Sequence, residues 1–383
     1  MAGKRSIFEE VGAGAKPPVP QAGGIDRGNG GARGAIRVWL AVIFALLVAM
    51  IMVGGLTRLT DSGLSITEWK PVTGALPPMN DAAWGAEFAK YQASPEYQLQ
   101  NKGMTLEAFK SIYWWEWGHR QLGRVIGLVW AVGFAGFLLA KKVPTGWTGR
   151  LLLIGALGGL QGAIGWWMVS SGLSGAVVDV ASYRLATHLG LAFIILGFIG
   201  WYVLLLGRPE KDLLAARRIR EGKLFGLSTG LLHFAFLQIV LGALVAGIDA
   251  GRGFPTWPLM NGQFFPADAF YVPGRPVWAA FFENPGLVQF MHRMTGYLLL
   301  AFGVVVWARG RKSAHLATRR AFNAVLAMLV VQVALGIFTA LTAAQLHMAI
   351  THQVGAVLLW VLILRARHLA QYPVAGSVRK GTQ

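Results

Sequence analysis

The sequence contains no cysteine, and charged residues are scarce: Asp, Glu, Lys and Arg make up only 14% of its 383 residues. Without thiols the chain cannot form disulfides, thiolate metal centres, iron–sulfur clusters or thioether-linked haem. A bound metal therefore requires histidine or oxygen ligands. Because 55% of the residues are hydrophobic, the composition also excludes a set of ordinary soluble domains.

Apolar runs of about 20 residues recur along the chain, each long enough to cross a hydrocarbon core roughly 30 Å thick. We therefore predict an all-α polytopic membrane protein. The eight predicted transmembrane helices lie at about 36–56, 119–140, 150–170, 184–206, 225–248, 288–308, 321–341 and 346–366.

Acidic residues are fewer than basic ones: the sequence has 17 Asp and Glu and 35 Lys and Arg, which gives a formal net charge of +18. The basic excess lies in the two terminal tails and in the links at 141–150, 207–224 and 309–320. Cytoplasmic loops carry such an excess, so we predict a bacterial inner-membrane protein with both termini in the cytoplasm. Topology accounts for the positive charge, and no nucleic-acid partner is expected.

An internal repeat divides the predicted helices into two groups of four. The matched elements are Gly54-Gly55-Leu56 and Gly242-Ala243-Leu244, His119-Arg120-x-x-Gly123 and His292-Arg293-x-x-Gly296, Gln161-x-x-x-Gly165 and Gln332-x-x-x-Gly336, and Thr187-His188 and Thr351-His352. They occur in the same order in both halves. An even number of spans per unit makes the halves parallel, so we predict two tandem, pseudo-twofold-related four-helix bundles.

The repeat also predicts the domain boundaries. The segments are a disordered cytoplasmic tail at 1–35, an N-terminal bundle at 36–206 with a long outer loop at 57–118, a cytoplasmic linker at 207–224, a C-terminal bundle at 225–366, and a cytoplasmic tail at 367–383. The first outer loop is predicted to contain short polar helices at Asp81–Tyr91 and Thr105–Trp114. The second outer loop, 249–287, contains six prolines and is predicted to be irregular.

Four histidines occupy equivalent places in the repeat: His119 and His188 in the first half, His292 and His352 in the second. Each pair joins the second and fourth helices of its bundle, so two imidazoles can lie on opposite faces of one planar cofactor. Such a pair can ligate a haem iron without sulfur. By the predicted topology, all four lie toward the periplasmic side.

Small and basic residues accompany these histidines. Gly123 and Gly296 follow by one helical turn, where the missing side chain is predicted to let a porphyrin lie against the helix. Gln161 and Gln332 are interpreted as hydrogen-bonding groups between helices, and His233 and His347 lack partners in the repeat. The predicted partners of haem propionates are Arg120, Arg124 and Arg293.

The repeat fails at one position that matters for chemistry. Glu116 precedes His119 by three residues, whereas Gln289 stands at the equivalent place before His292. A carboxylate on the same helical face as the histidine can accept protons or stabilise a developing cation beside a porphyrin. The difference predicts that the first half carries out chemistry and the second carries electrons. In the structural alternative, Glu116 caps a helix or pairs with Arg120.

Five longer stretches match the pattern of one known family. They are Gly54-Gly-Leu-Thr-Arg-Leu-Thr-Asp-Ser-Gly-Leu-Ser-Ile-Thr-Glu-Trp-Lys70, Glu116-Trp-x-His-Arg, Gln161-Gly-x-x-Gly-Trp-x-Met-Val-x-Ser-Gly172, Ser182-Tyr-Arg-Leu-Ala-x-His-Leu189 and Val288-Gln-Phe-x-His-Arg293. The chain resembles the haem A synthases over nearly all of residues 36–366. It is similar to the bacterial and mitochondrial branch; the Gram-positive branch carries a cysteine pair that is missing here, so no disulfide-linked role is carried over.

The resemblance implies oxidation of the ring-D methyl group of haem O to a formyl group, by successive hydroxylations, to give haem A for cytochrome oxidase. It implies that His119 and His188 flank the substrate haem. It further implies that His292 and His352 ligate a resident haem b, and that Glu116 is the catalytic carboxylate. Haem O synthase, cytochrome oxidase assembly factors and a second copy of the chain are the partners to be expected, and no electron acceptor is identified.

Two other functions explain part of the pattern. A di-haem b electron-transfer cytochrome accounts for the four histidines but not for the Glu116/Gln289 difference or the long first loop. Four histidines near one surface also prevent a stack of haems across the bilayer. A haem transporter built on a parallel repeat does not call for duplicated histidines, and broken helices in the middle of the membrane are not evident.

Overall fold

The computed structural model describes residues 30–173 and 179–374. Apart from one isolated bridge and two 3₁₀ turns, the regular elements of these residues are α-helices. In chain order they are α1 (Gly30–Leu59), α2 (Asp81–Gln92), α3 (Pro95–Leu99), α4 (Leu106–Leu139), α5 (Thr148–Val169), α6 (Ser182–Leu206), α7 (Glu210–Arg218), α8 (Gly222–Gly247), α9 (Ala250–Gly253), α10 (Ala280–Glu283), α11 (Pro285–Gly310), α12 (Leu316–Leu341) and α13 (Leu346–Gln371). Eight of them, α1, α4, α5, α6, α8, α11, α12 and α13, are long and apolar enough to span a membrane, which confirms the predicted class.

The largest departure from the predicted spans is in α4, because one continuous helix from Leu106 to Leu139 joins the helical stretch predicted at Thr105–Trp114 to the span predicted at 119–140. Thr105 caps its start through the side-chain oxygen. Phe109 and Tyr113 then pack into a small aromatic core with α2, and this burial stabilises the additional turns. Glu116 and His119 therefore lie inside a continuous helix, 10 and 13 residues after its first residue.

Other helix ends also differ from the predicted boundaries. α1 begins at Gly30, within the predicted tail, while residues 1–29 and 375–383 of the two tails lie outside the described residues. The predicted linker contains the short helix α7. Asn284 and Pro285 start α11, since the asparagine side chain caps the backbone and proline takes the first helical position.

Of the eight long helices, α1, α4, α5 and α6 are called the first group, and α8, α11, α12 and α13 the second group. Neighbouring helices within each group contact one another, and the two groups meet where α6 contacts α8 and α13 and where α1 contacts α13. Gln353 of α13 crosses this interface, because its Nε2 donates to the backbone oxygen of Ile51 at 2.6 Å. A Cβ at Gly55 would collide with the same glutamine, so the close approach requires glycine.

Two tryptophans pack on glycines between neighbouring helices of the first group. Trp39 of α1 packs on Gly133, and its Nε1 donates to the backbone oxygen four residues before that glycine at 2.9 Å. Trp130 of α4 repeats the contact on Gly155, at 3.1 Å. A Cβ at either glycine would collide with the indole ring.

Gly133→Ala is therefore expected to destabilise the protein by about 1–3 kcal/mol, the usual range for overpacking a filled site. Gly136→Ala is the matched control on the same helix, since its Cβ would meet nothing within 4 Å. That control is expected to be neutral or slightly stabilising, because alanine favours a helix over glycine by up to about 1 kcal/mol. Thermal unfolding of the purified proteins in detergent measures the difference, and equal midpoints would contradict the packing assigned to Trp39.

Candidate functional site

A large cavity of about 990 Å³ is lined by residues of both groups of helices. It is lined by all four histidines of the repeat, His119, His188, His292 and His352. Glu116 and the three predicted propionate arginines line the same cavity. The structure thus brings together every residue predicted for the site, in a space at the upper end of the range for small-molecule sites.

His292 of α11 and His352 of α13 lie opposite each other, with ring centres 6.4 Å apart and ring planes at 87°. Imidazole nitrogens bind metals at about 2 Å, so two axial imidazoles with an iron between them have ring centres roughly 6 Å apart. This pair has that spacing. Among the described residues no group of three or more His, Cys, Asp or Glu could hold a metal ion.

Each of the four histidine rings packs against a glycine of a neighbouring helix. A Cβ added at these glycines would lie 2.9–3.1 Å from a ring atom, closer than ordinary van der Waals contact. The pairs are Gly54 with His119, Gly165 with His188, Gly242 with His292, and Gly336 with His352. These glycines belong to the matched elements of the sequence, where no contact with histidine was predicted for them.

Gly123 and Gly296 also line the cavity, but side chains lie against them. A Cβ at Gly123 would be 3.2 Å from Cε of Met50, and a Cβ at Gly296 would be 3.2 Å from Nε2 of Gln238. The open surface predicted at these two glycines is therefore occupied by side chains of α1 and α8.

Three of the four histidines lie beside a glutamine amide. Each amide donates from Nε2 to the backbone oxygen of its histidine at 2.8–2.9 Å and lies 3.1–3.2 Å from Nδ1 of the same residue. The pairs are Gln161 with His188, Gln238 with His292, and Gln332 with His352. The predicted hydrogen bonding between helices is confirmed for Gln161 and Gln332, whereas Gln238 was missed, although Gln238-x-x-x-Gly242 has the same spacing.

Glu116 is buried, with 2% of its surface exposed, and both of its carboxylate oxygens accept hydrogen bonds. Oε2 accepts from Oγ of Ser65 and from the backbone N–H of Ile66, each at 2.7 Å. Oε1 accepts from Nε and Nη2 of Arg120 at 3.0 and 2.5 Å. The carboxylate therefore pairs with Arg120, as the structural alternative expected, and also anchors the outer loop. Gln289, at the equivalent place, is buried, and its Oε1 has no hydrogen-bond partner in the part of the chain that the structure describes.

The three predicted propionate arginines hold the outer loops against the cavity, because each donates to two backbone oxygens at 2.7–3.0 Å. The contacts are Arg120 with Ile66 and Glu68, Arg124 with Lys70 and Pro71, and Arg293 with Phe254 and Thr256. A guanidinium has five N–H donors. Among the described residues Arg293 uses two of them, whereas Arg120 also binds Glu116. Arg293 thus has more donors left for an anion.

Glu96 of α3 is a second buried carboxyl group on the cavity wall, and it was not predicted. It is 3% exposed, and its Oε2 has no partner among the described residues. Burial raises the pKa of Glu96 to about 8, and the nearby carboxylates of Glu116, Asp179 and Asp61 act in the same direction. A carboxyl group of this kind can exchange a proton near neutral pH. Nothing in the repeat marks it, because α3 has no counterpart in the second half.

Arg58 ties the two halves together at the outer end of the cavity. Its Nη1 donates to Asp61 at 2.8 Å, its Nη2 to Asp249 at 3.0 Å, and its Nε to the backbone oxygen of Ala246 at 3.1 Å. The two aspartates follow equivalent glycines of the repeat, and both adopt left-handed backbone angles, with φ of 48° and 51°. One arginine therefore binds two equivalent carboxylates across the interface.

Known proteins match this chain over nearly its whole length. The sequence model of the COX15-CtaA family, described as cytochrome oxidase assembly protein, matches residues 37–364. A protein named Heme A synthase from Cereibacter sphaeroides is 67% identical over 386 residues, covering 99% of both chains. Proteins of the same name from a Ruegeria species and from Roseobacter denitrificans are 68% and 64% identical, and the alignments cover 98% and 99% of this chain and 99% and 100% of those relatives. The chain therefore belongs to the COX15-CtaA family of cytochrome oxidase assembly proteins.

Proposed function

We propose that this protein is a haem A synthase, an oxidoreductase that converts the ring-D methyl group of haem O to a formyl group by successive hydroxylations. The observation that carries the proposal is the pair of histidine sites in one cavity, with a buried carboxylate at one site and a buried amide at the equivalent place of the other. Similarity over the full chain to proteins named Heme A synthase supports the same activity.

The residues of the cavity fit haem. His292 and His352 have the spacing of two axial ligands and are proposed to hold a resident haem b, which supplies one-electron transfer when bound. His119 and His188 are proposed to flank the substrate, haem O. The four glycines that face the histidine rings support both assignments, because the missing side chains let each imidazole pack against the wall of the cavity.

Glu116 is proposed as the catalytic carboxylate. Arg120, Ser65 and the backbone of Ile66 hold it in one orientation, one turn from His119. A fixed negative charge in a buried site stabilises a developing cation more strongly than the same charge in water. It can also accept a proton when one of its hydrogen bonds opens. Glu96 lines the same cavity and is a candidate to pass protons to the outer surface.

The arrangement also supports proposals for the propionates, the orientation and the partners. Arg293 and Arg124 are proposed to bind haem propionates through donors that the outer loops leave free. The basic links support cytoplasmic termini in a bacterial inner membrane, with both haem sites toward the periplasm. Haem O synthase, cytochrome oxidase assembly factors and a second copy of the chain are proposed partners, because a poorly soluble haem favours direct transfer.

Chemical identification of the extracted haems tests this proposal. Protein purified from a host that makes haem O is expected to contain haem b together with haem O or haem A. Protein from a host that lacks haem O is expected to retain haem b. Haem b alone from both hosts would favour a di-haem electron-transfer cytochrome, and protein without haem would defeat both functions.

A further inference from the structure

Each histidine of the cavity packs on a glycine, and the residue one helical turn before that glycine points toward the same side of its helix. At three sites this residue is a glutamine that bonds the histidine. At the fourth site it is Met50, which precedes Gly54, the glycine that packs on His119. The site that lacks the amide is also the site that contains Glu116.

Met50 packs against α4 at the position where Gln238 packs against α11. Gly123 and Gly296 follow their histidines by the same four residues. The Cβ that would be added at Gly123 lies 3.2 Å from the methyl carbon of Met50, and the Cβ at Gly296 lies 3.2 Å from the amide nitrogen of Gln238. A thioether therefore replaces an amide at one of two matching positions.

His119 therefore lacks the glutamine amide that bonds each of the other three histidines. A histidine that ligates a metal through one nitrogen gives its other N–H to an acceptor, which fixes the ring and strengthens the metal bond. The three glutamines each have an Oε1 that lacks a partner among the described residues. Turning the amide would bring this oxygen to Nδ1 as an acceptor, in exchange for the present bond from Nε2 to the backbone oxygen of the histidine. A thioether sulfur is only a weak acceptor, and the His119 ring makes no hydrogen bond to the described residues.

We propose that Met50 makes His119 the axial ligand that leaves the substrate iron, while the amides keep His188, His292 and His352 in place. If His119 ligated the substrate iron, the bond between the iron and the imidazole nitrogen would open with the electron pair kept by the neutral imidazole, so no electron would be transferred. A small ligand could then bind at the vacated position. Met50 is a positioning residue in this scheme, and the inference rests on the proposed function.

Carbon monoxide tests the inference, because it binds a reduced haem iron only where an axial position opens. Wild-type protein loaded with both haems is expected to bind it at the substrate haem alone. Met50→Gln should lower this binding at least 10-fold, the usual scale for hydrogen-bonding partners of metal ligands. Gln238→Met should make the haem b reactive, and Met50→Leu should behave like the wild type because leucine also lacks an acceptor.

Three results would overturn the inference: unchanged carbon monoxide binding in Met50→Gln, lost binding in Met50→Leu, or an unreactive haem b in Gln238→Met. Carbon monoxide binding to Gln238→Met tests the inference even if Met50→Gln does not fold. The readout requires bound haem and not the formation of haem A. Two bound haems with unchanged reactivity therefore defeat the inference alone, whereas a protein that binds no second haem defeats the proposed function as well.

Discussion

Replacing Glu116 with glutamine is expected to leave both haems bound and to lower the formation of haem A by about 10²–10⁴-fold, the usual contribution of a group that transfers protons. The amide has nearly the same shape but cannot hold a negative charge or accept a proton. Haem binding should persist because the equivalent position in the second half already carries Gln289, buried in the same way. The ratio of haem A to haem O in extracts of purified protein measures the effect.

The hydrogen bonds of Glu116 require a second variant to separate chemistry from loop anchoring. A glutamine oxygen can accept from Arg120 or from Ile66, but the amide nitrogen then faces a donor on the other side. Ser65→Ala removes one bond to the loop and keeps the carboxylate, so its loss of activity should stay below about 10-fold, as for one hydrogen bond worth about 1 kcal/mol. Glu283→Gln, in the outer loop beside Arg275, is the control for removing a distant carboxylate.

A severe loss in Ser65→Ala would assign the effect of Glu116→Gln to the loop. Wild-type turnover in Glu116→Gln would defeat the catalytic role altogether. The two variants therefore distinguish the functional interpretation of this carboxylate from the structural one, in which it pairs with Arg120 and holds residues 65 and 66.

The eight spans and the four cavity histidines were predictable because they depend on local properties. A run of apolar residues must be long enough to cross the bilayer, and a duplicated motif preserves its spacing whatever surrounds it. The helical stretch at Thr105–Trp114 was predicted, but its continuity with the span at 119–140 in α4 was not. The first turns of α4 are polar and aromatic, and the burial of Phe109 and Tyr113 against α2 stabilises them, so the helix depends on a contact between distant segments.

Aligning the two halves of the repeat with each other identifies only some of the glutamines that bond the histidines. Gln161 and Gln332 align with each other and were recognised, but Gln238 aligns with Met50 and was therefore overlooked. The motif recurs in three of the four helix pairs, and a comparison within the second half finds it, because Gln238-x-x-x-Gly242 and Gln332-x-x-x-Gly336 have the same spacing. The contacts of Arg120, Arg124 and Arg293 with the outer loops could not be predicted from the sequence. Their acceptors are backbone oxygens, which every residue carries.

Alanine substitution of the cavity histidines is expected to remove the two haems separately. His352→Ala should lower the content of haem b more than 10-fold, since even loss of a ligand's hydrogen-bonding partner costs about 10–100-fold in affinity. His188→Ala should lower haem O and haem A to the same degree and leave haem b in place. The physical reason is the fold: each pair of histidines lies within one group of four helices, and each ring packs on a glycine of its own group.

The matched controls are His233→Ala and His347→Ala, because neither side chain lines the cavity. His233 places its Nδ1 2.8 Å from the backbone oxygen of Thr229 in its own helix, so its removal should leave the haem content unchanged. Quantified haem per chain, with b, O and A resolved by chromatography, gives the result. Loss of haem b from His188→Ala with retention in His352→Ala would reverse the assignment of the two sites. Equal loss of both haems from every cavity variant would mean that the two groups of helices bind their haems as one unit.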